Sequence, residues 1–255
     1  MCVTCGCEAG SSDHNHDHDH DHAPARGQRG FGVLRPTVTR TISLEQDLLA
    51  KNDRYAAVNR GRFAAAGVLT LNLVSSPGSG KTTLLVETLL ALAGRLPVAV
   101  IEGDQQTRLD ADRIAATGAP VVQLNTGKGC HLDAHQVGHA LATLAMPARG
   151  ILFIENVGNL VCPASFDLGE QLRVVLLSTT EGEDKPLKYP PIFKSAHLVL
   201  LTKIDVAEVL GFNIPAAVEN IRRIAPQARL IQVSTRSGQG LEEWYGFLRA
   251  HLVGR

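Results

Sequence analysis

The chain has 255 residues, with 25 Lys and Arg against 25 Asp and Glu, 44% hydrophobic residues and 4% aromatic ones. That length and apolar fraction suffice for a core and exclude wholesale disorder, while a net charge of zero leaves no footprint for sequence-independent binding to nucleic acid or an anionic membrane. No stretch approaches the roughly 18 uninterrupted apolar residues of a membrane span and the opening MCVTCGC lacks signal-peptide order, so a cytoplasmic protein with reduced, metal-ready cysteines is expected.

Residues 1 to 22 carry Glu8, Asp13, Asp17, Asp19 and Asp21 and no basic residue, whereas the next stretch to Arg40 holds only basic charges. Glycines and prolines are spread through both, without helical or strand periodicity, so residues 1–40 read as a flexible metal-binding tail and linker. Within it Cys2, Cys5 and Cys7 form C-x-x-C-x-C. Three thiolates with the terminal amine, or with a deprotonated backbone nitrogen, give a four-donor N/S set, which favours Ni2+ if planar and Zn2+ if tetrahedral. His14, His16, His18, His20 and His22 follow, interleaved with Asp, a pattern suited to buffering Ni2+, Zn2+ or Cu2+.

Residues 41–255 read as one α/β domain. Ser43 with Gln46 three residues on predicts a capping box, opening a helix that ends near Gly67. Short apolar runs at 69–74, 98–101, 121–124, 151–154, 198–201 and 230–233 predict buried parallel strands. Amphipathic segments at 82–93, 107–116, 131–145, 216–224 and 241–252 lie between or after them. The alternation predicts a doubly wound, mainly parallel sheet with helices on both faces and ligands at the carboxyl ends of the strands; with the glycine-rich loop GSGKTT after the first run, this is a P-loop NTPase architecture.

The first strand leads into Ser75-Ser76-Pro77-Gly78-Ser79-Gly80-Lys81-Thr82-Thr83 and then an apolar helix face, the context a phosphate-binding loop requires. Backbone amides around Gly78, Ser79 and Gly80 would cradle the β-phosphate, Lys81 would span the β- and γ-phosphates, and the Thr82 hydroxyl would ligate Mg2+. Ser75 stands where the usual pattern opens with glycine. Glu102-Gly103-Asp104-Gln105-Gln106-Thr107 and Glu155-Asn156-Val157-Gly158 sit at later strand ends. There Asp104 and Glu155 are candidates to hold Mg2+ or its waters, and the Gly158 amide to sense the γ-phosphate. Thr202-Lys203-Ile204-Asp205 supplies a carboxylate that can accept from both N1–H and the N2 amino group of guanine, which selects GTP over ATP. Ser234 and Thr235, after the last run, are the candidate third base-contacting segment. No arginine finger is evident, so slow intrinsic turnover is expected.

Cys130-His131 opens a predicted helix on which His131, His135 and His139 share one face, and Cys162 lies four residues beyond Gly158. Cys130, His131 and Cys162 form a candidate second metal site, with His135 as a further candidate ligand. His139, His197 and His251 read as structural or surface residues.

These motifs together resemble the HypB family, the nickel-insertion GTPases of nickel–iron hydrogenase maturation. The resemblance is carried by the MCxxCxC start, the His-rich tract, AKND at 50–53, LNLVSSPGSGKTTLL, EGDQQT, GCH, ENVGNLVCP and LTKID. It implies a fold of the signal-recognition and MinD-like class, in which SSPGSGKTT is a usual opening. It further implies a nickel site at Cys2, Cys5 and Cys7 and a nickel or zinc site at Cys130, His131 and Cys162. Nucleotide-dependent homodimerisation is implied as well, with a HypA-type nickel chaperone as partner and the hydrogenase large subunit as the indirect recipient. A urease-type nickel-insertion GTPase shares the phosphate loop but is disfavoured by the C-x-x-C-x-C. A nickel or zinc storage protein with regulatory nucleotide binding is the other alternative.

Overall fold

The computed structural model describes residues 37–127 and 129–252, so Cys2, Cys5, Cys7 and His14 to His22 lie outside the described residues. A long helix α1 (Thr37–Ala65) leads into a sheet of seven strands: β1 (Leu69–Ser75), β2 (Val98–Asp104), β3 (Val121–Asn125), β4 (Ile151–Glu155), β5 (Leu172–Ser178), β6 (Leu198–Thr202) and β7 (Arg229–Val233). Their order is β3-β2-β4-β1-β5-β6-β7, and every pairing is parallel. Between the strands run α2 (Lys81–Leu92), α3 (Leu109–Ala115), α4 (Ala134–Ala140), the short α5 (Lys185–Lys188) and α6 (Pro190–Lys194), and α7 (Ile214–Ile224), with α8 (Leu241–Leu252) last. No helix among the described residues is long and apolar enough to cross a membrane.

Two expectations are corrected. Ser43 does not cap α1 but lies inside it, because nothing between Thr37 and Ile42 breaks a helix and the chain coils from directly after Pro36. The six predicted strands are seven, since Leu172–Ser178 was hidden by Arg173, a charge within an otherwise apolar run. The structure accommodates that charge by burying it in a network. Arg173 Nη2 and Nε donate to Glu170 Oε1 at 2.7 and 3.0 Å, and the remaining guanidinium hydrogens go to the Ala164 and Phe166 carbonyls and to Ser195 Oγ. Glu170 also accepts from Asn72 on the central strand β1 and from the Leu168 amide.

Side chains alternate across the sheet with the period of two that strands impose. Leu69, Leu71 and Leu73 of β1 pack with Val174, Leu176, Leu198 and Leu200 against Leu84, Leu85 and Leu89 of α2 and Trp244 of α8. On the opposite face Val175, Leu177, Val199 and Leu201 meet Ile192, Phe193 and Ile221 of α6 and α7, while Ile101 and Ile154 meet Phe63 of α1 and Val137 of α4. The indole of Trp244 is buried, yet its N–H donates to Thr88 Oγ1 at 2.9 Å, so no polar group is stranded there. Buried asparagines fasten α1 to α4 and to the loop before β5: Asn52 accepts from the Ala134 amide and donates to the Asp167 carbonyl, and Asn59 donates to the Ala134 and Leu168 carbonyls.

Glu170→Ala would leave the buried Arg173 charge without its partner, a loss of about 3–5 kcal/mol. Urea unfolding should show it as a lower midpoint, and an unchanged midpoint would place Arg173 in solvent.

Candidate functional site

The carboxyl ends of β1, β2 and β4 open on a cavity of about 470 Å³ floored by residues 75–83. The sequence folds this way because α2 begins directly after Gly80, whose φ of 92° reverses the chain from strand to helix and leaves the first helical amides facing the cavity. A helix N-terminus with unpaired amides, a lysine and a Thr hydroxyl is a ready anion site. Lys81 and Thr82 are both turned onto Glu155 in this state: Lys81 Nζ lies 3.1 Å from Glu155 Oε1, and the Thr82 hydroxyl donates to the same oxygen at 2.6 Å. Arg113 of α3 lines the same cavity and donates to Thr83 Oγ1.

Glu102 is the residue that sequence reasoning left without a role. Strand register sets it opposite Glu155, and it lines the cavity while only 2% exposed. Burial pushes its carboxyl up to about 8, with the charges of Glu155, Asp104 and Asp110 adding to the effect. Glu102 Oε2 and Glu155 Oε2 are both buried with no hydrogen-bond partner. Two orphaned carboxylate oxygens beside a Thr hydroxyl fit a hard divalent cation with oxygen ligands, such as Mg2+. The available signal was period two: Glu102 precedes Asp104 by two residues on one strand, and so shares its face.

Asp104 serves the turn that follows β2. Its Oδ1 accepts from the Gln105 amide at 2.7 Å, and its Oδ2 from the Thr107 amide and hydroxyl at 2.9 and 2.5 Å. Burial pushes its carboxyl up, but these bonds outweigh burial and hold it below the usual carboxylate range. Asp104 still lines the cavity, as an anchored charge rather than a mobile one.

On the base side, Thr202 is buried and its hydroxyl donates to the Ser79 carbonyl at 2.8 Å, so this side chain fastens β6 to the phosphate loop instead of facing a ligand. Lys203 Nζ donates to the Gly78 carbonyl at 2.7 Å and lines the cavity. Asp205 follows in a short 3-10 turn, Ile204–Val206, and is exposed outside the lining of the phosphate cavity. Ser234 and Thr235 follow β7 at the same end of the sheet, since Val233 pairs with Thr202; Ser234 is buried and accepts from the Ser237 amide, and Thr235 is half-buried.

The second cluster lies on the far side of the β4 loop. One ligand atom each from Cys130, His131 and Cys162 lies within 4.8 Å of the others, with Cys162 buried at the start of a 3-10 turn, Cys162–Ser165. The two sulfurs are 2.7 Å apart, and the His131 ring packs against Phe166 at 4.0 Å. Burial lowers the His131 pKa, partly offset by Asp133, so its imidazole is neutral and able to ligate. The predicted helix phase needs correction. Asp133 caps α4 in a capping box with Gln136, so the helix starts after His131, and His131 does not share its face with His135 and His139. His135 falls outside the cluster, its ring lying 4.6 Å from Tyr55 and 4.5 Å from His139.

Contacts that the sequence did not signal join the two clusters. Asn156, directly after Glu155, accepts from the Leu132 amide at 3.0 Å, and Asn159 donates to the Cys130 carbonyl at 3.3 Å. Two glycines permit the close packing. A Cβ on Gly103 would lie 2.7 Å from the Leu132 side chain, and one on Gly158 would lie 3.0 Å from Pro77 of the phosphate loop.

Residues 69–232 match the family model of the CobW/HypB/UreG nucleotide-binding domain. The chain is 60% identical over 210 residues to hydrogenase maturation factor HypB of Azotobacter vinelandii, covering 82% of this chain and 69% of that protein. It is 52% identical over 284 residues to HypB of Escherichia coli K12, covering 97% and 98%. Among solved structures, HypB from Helicobacter pylori in complex with nickel superposes with a TM-score of 0.76 at 40% identity, over 80% of this chain and 96% of that one.

The raised Glu102 group carries a sign that can be worked out. Its folded pKa of about 8 exceeds the ordinary glutamate value of 4.5, so between these limits the folded state binds more protons, and stability falls as pH rises. In metal-free protein, urea midpoints should drop from about pH 5 to about pH 8. Glu102→Gln should flatten that drop and raise the midpoint at the upper pH; an equally steep drop in the variant would refute the assignment.

Proposed function

The chain belongs to the HypB family of hydrogenase maturation factors, and from that footing we propose that it is a GTP-hydrolysing nickel chaperone. In this reading Ni2+ is cargo, carried at Cys130, His131 and Cys162 and by the Cys2, Cys5, Cys7 and His14 to His22 tail, and released toward the hydrogenase large subunit. Zn2+ suits the same Cys and His donors and is the competing ion. A HypA-type chaperone is the partner, the nucleotide state governs homodimerisation, and the cytoplasm is the setting.

GTP would sit with its phosphates on residues 78–83 and its guanine against Asp205, with Ser234 and Thr235 alongside. Lys81 would leave Glu155 for the β- and γ-phosphate oxygens, because a phosphate chain offers it more negative charge than one shared carboxylate. Thr82 and the carboxylates of Glu102, Glu155 and the nearby Asp104 would hold Mg2+, which would neutralise phosphate charge when bound. Freed from Lys81 and Thr82, Glu155 can shift, and Asn156 is the next residue.

The observation that carries this reading is the single loop of residues 155–162. Its first residue holds the phosphate-loop lysine, its second and fifth hold the backbone of residues 130–132, Gly158 rests on Pro77, and its last is Cys162. A ligand at one end therefore changes contacts that orient a ligand set at the other, and the coupling must be reciprocal.

Isothermal titration of Ni2+ into the GDP form and into a form with a non-hydrolysable GTP analogue should give unequal affinities at the Cys130 cluster, with Cys130→Ser/Cys162→Ser as the control that removes this site. Equal affinities would sink the coupling. Asp205→Asn should weaken GTP and favour xanthosine nucleotides, because the amide nitrogen presents a donor to the guanine N2 amino group, where xanthine carries an accepting carbonyl; unchanged guanine selectivity would refute the base assignment.

A further inference from the structure

We propose that Arg113 of α3 binds the α-phosphate of the guanine nucleotide and so holds the diphosphate and the triphosphate alike, which rests on the nucleotide reading of the cavity over residues 75–83. Among the described residues, Lys81, Lys203 and Arg113 are the cations that line this cavity. Lys81 is turned onto Glu155, and Lys203 onto the Gly78 carbonyl. Arg113 comes from a different element and has no part in the phosphate loop itself.

Its place is fixed by packing. Ala111 and Ile114 are buried, Ile114 within the core that also holds Leu84, Leu85 and Leu89 of α2, and α3 lies against α2. Arg113, next to Ile114, stands on the flank of α3 that meets the first turn of α2, where its Nη2 donates to Thr83 Oγ1 at 3.1 Å. Successive helical residues turn by about 100°. Thr82 bonds Glu155, whereas Thr83, one step round the helix, meets α3. With the γ-phosphate near Glu155 and Thr82, and the β-phosphate over residues 78–81, the α-phosphate falls beside Thr83, within reach of this guanidinium.

The arginine is also free to change partners. Nη1 lies 3.2 Å from Asp110 Oδ1, and the two side chains are 50% and 43% exposed. Exposed pairs of this kind contribute little, so Asp110 is given up at small cost for a phosphate oxygen. A guanidinium has five N–H donors in a fixed fork, and these two contacts occupy two of them. One arm can stay on Thr83 while another takes the phosphate, a geometry that suits arginine better than lysine. The role differs from that of an arginine finger, which acts on the γ-phosphate during hydrolysis.

The test uses the full chain with Mg2+ and four ligands, GTP, GDP and the two α-thio diastereomers of GDP, with affinities read by competition against a fluorescent guanine nucleotide. Arg113→Gln removes the charge from a half-exposed position and leaves Ala111 and Ile114 in place. It should weaken GTP and GDP by a similar factor, about tenfold. In the unmodified chain one α-thio diastereomer should bind less tightly than GDP, because sulfur is a poor acceptor for the guanidinium; in Arg113→Gln that difference should vanish. A merely structural role for Arg113 would weaken every ligand and keep the sulfur difference, which would overturn the proposal. So would unchanged affinities in the variant, a loss confined to GTP, or no sulfur difference in the unmodified chain. An unmodified chain that binds neither GTP nor GDP would overturn the guanine-nucleotide reading itself, and this assignment with it.

Discussion

A carboxylate buried at the carboxyl end of a parallel sheet must find hydrogen bonds and positive charge, and Glu155 finds Lys81 at 3.1 Å and the Thr82 hydroxyl at 2.6 Å. This one contact sets the state of everything around it. It takes the lysine and the hydroxyl that a phosphate group would otherwise engage, and leaves Oε2 of Glu155 and of its strand neighbour Glu102 unpartnered. Burial, with the charge of Glu155 beside it, holds the Glu102 carboxyl well above the usual carboxylate range. The same contact fixes the point from which the β4 loop departs toward Cys162. The nucleotide side and the cysteine side are thus two ends of a short stretch of backbone rather than two sites in separate parts of the molecule.

The loop can transmit a change because its contacts are specific and closely packed. Asn156 spends its carbonyl oxygen on the amides of Leu132 and Val157 and its amide hydrogens on Asn72 of the central strand. Asn72 in turn bonds Glu170, which pairs with Arg173. A continuous polar thread therefore runs through an otherwise apolar sheet, from the cysteine cluster to β5. Buried networks of this kind are costly if any member is unsatisfied, and they hold one arrangement for that reason.

The alternating architecture was legible because buried parallel strands read as short apolar runs, and the phosphate loop because its glycines, lysine and threonines stand between a strand and a helix. Arg173 hid β5 because periodicity cannot show that a charge has a buried partner three residues upstream. Helical phase across His131, His135 and His139 misled because Asp133 caps the helix two residues after His131, and i+4 spacing says nothing where the chain is not helical. Glu102 was legible only as sharing a strand face with Asp104, and Asn156 not at all: each matters through a neighbour brought to it by strand register or by a loop. Thr202 faces the Ser79 carbonyl, a role set by the packing of β6 beside the phosphate loop. Chemistry carried by adjacent residues is readable in a sequence, whereas chemistry assembled across strands is not.

Strand order has one more consequence, for synthesis. β1, which delivers the phosphate loop, is flanked by β4 and β5, and both are translated long after it. As the chain leaves the ribosome, β1 has two unpaired edges, and the loop has neither Glu155 nor the Thr202 hydroxyl to hold it. The contacts that hold the finished loop from outside therefore form only after those later strands have been made. The cost is a long interval with apolar strand edges bare, when early strands are open to pairing with other chains.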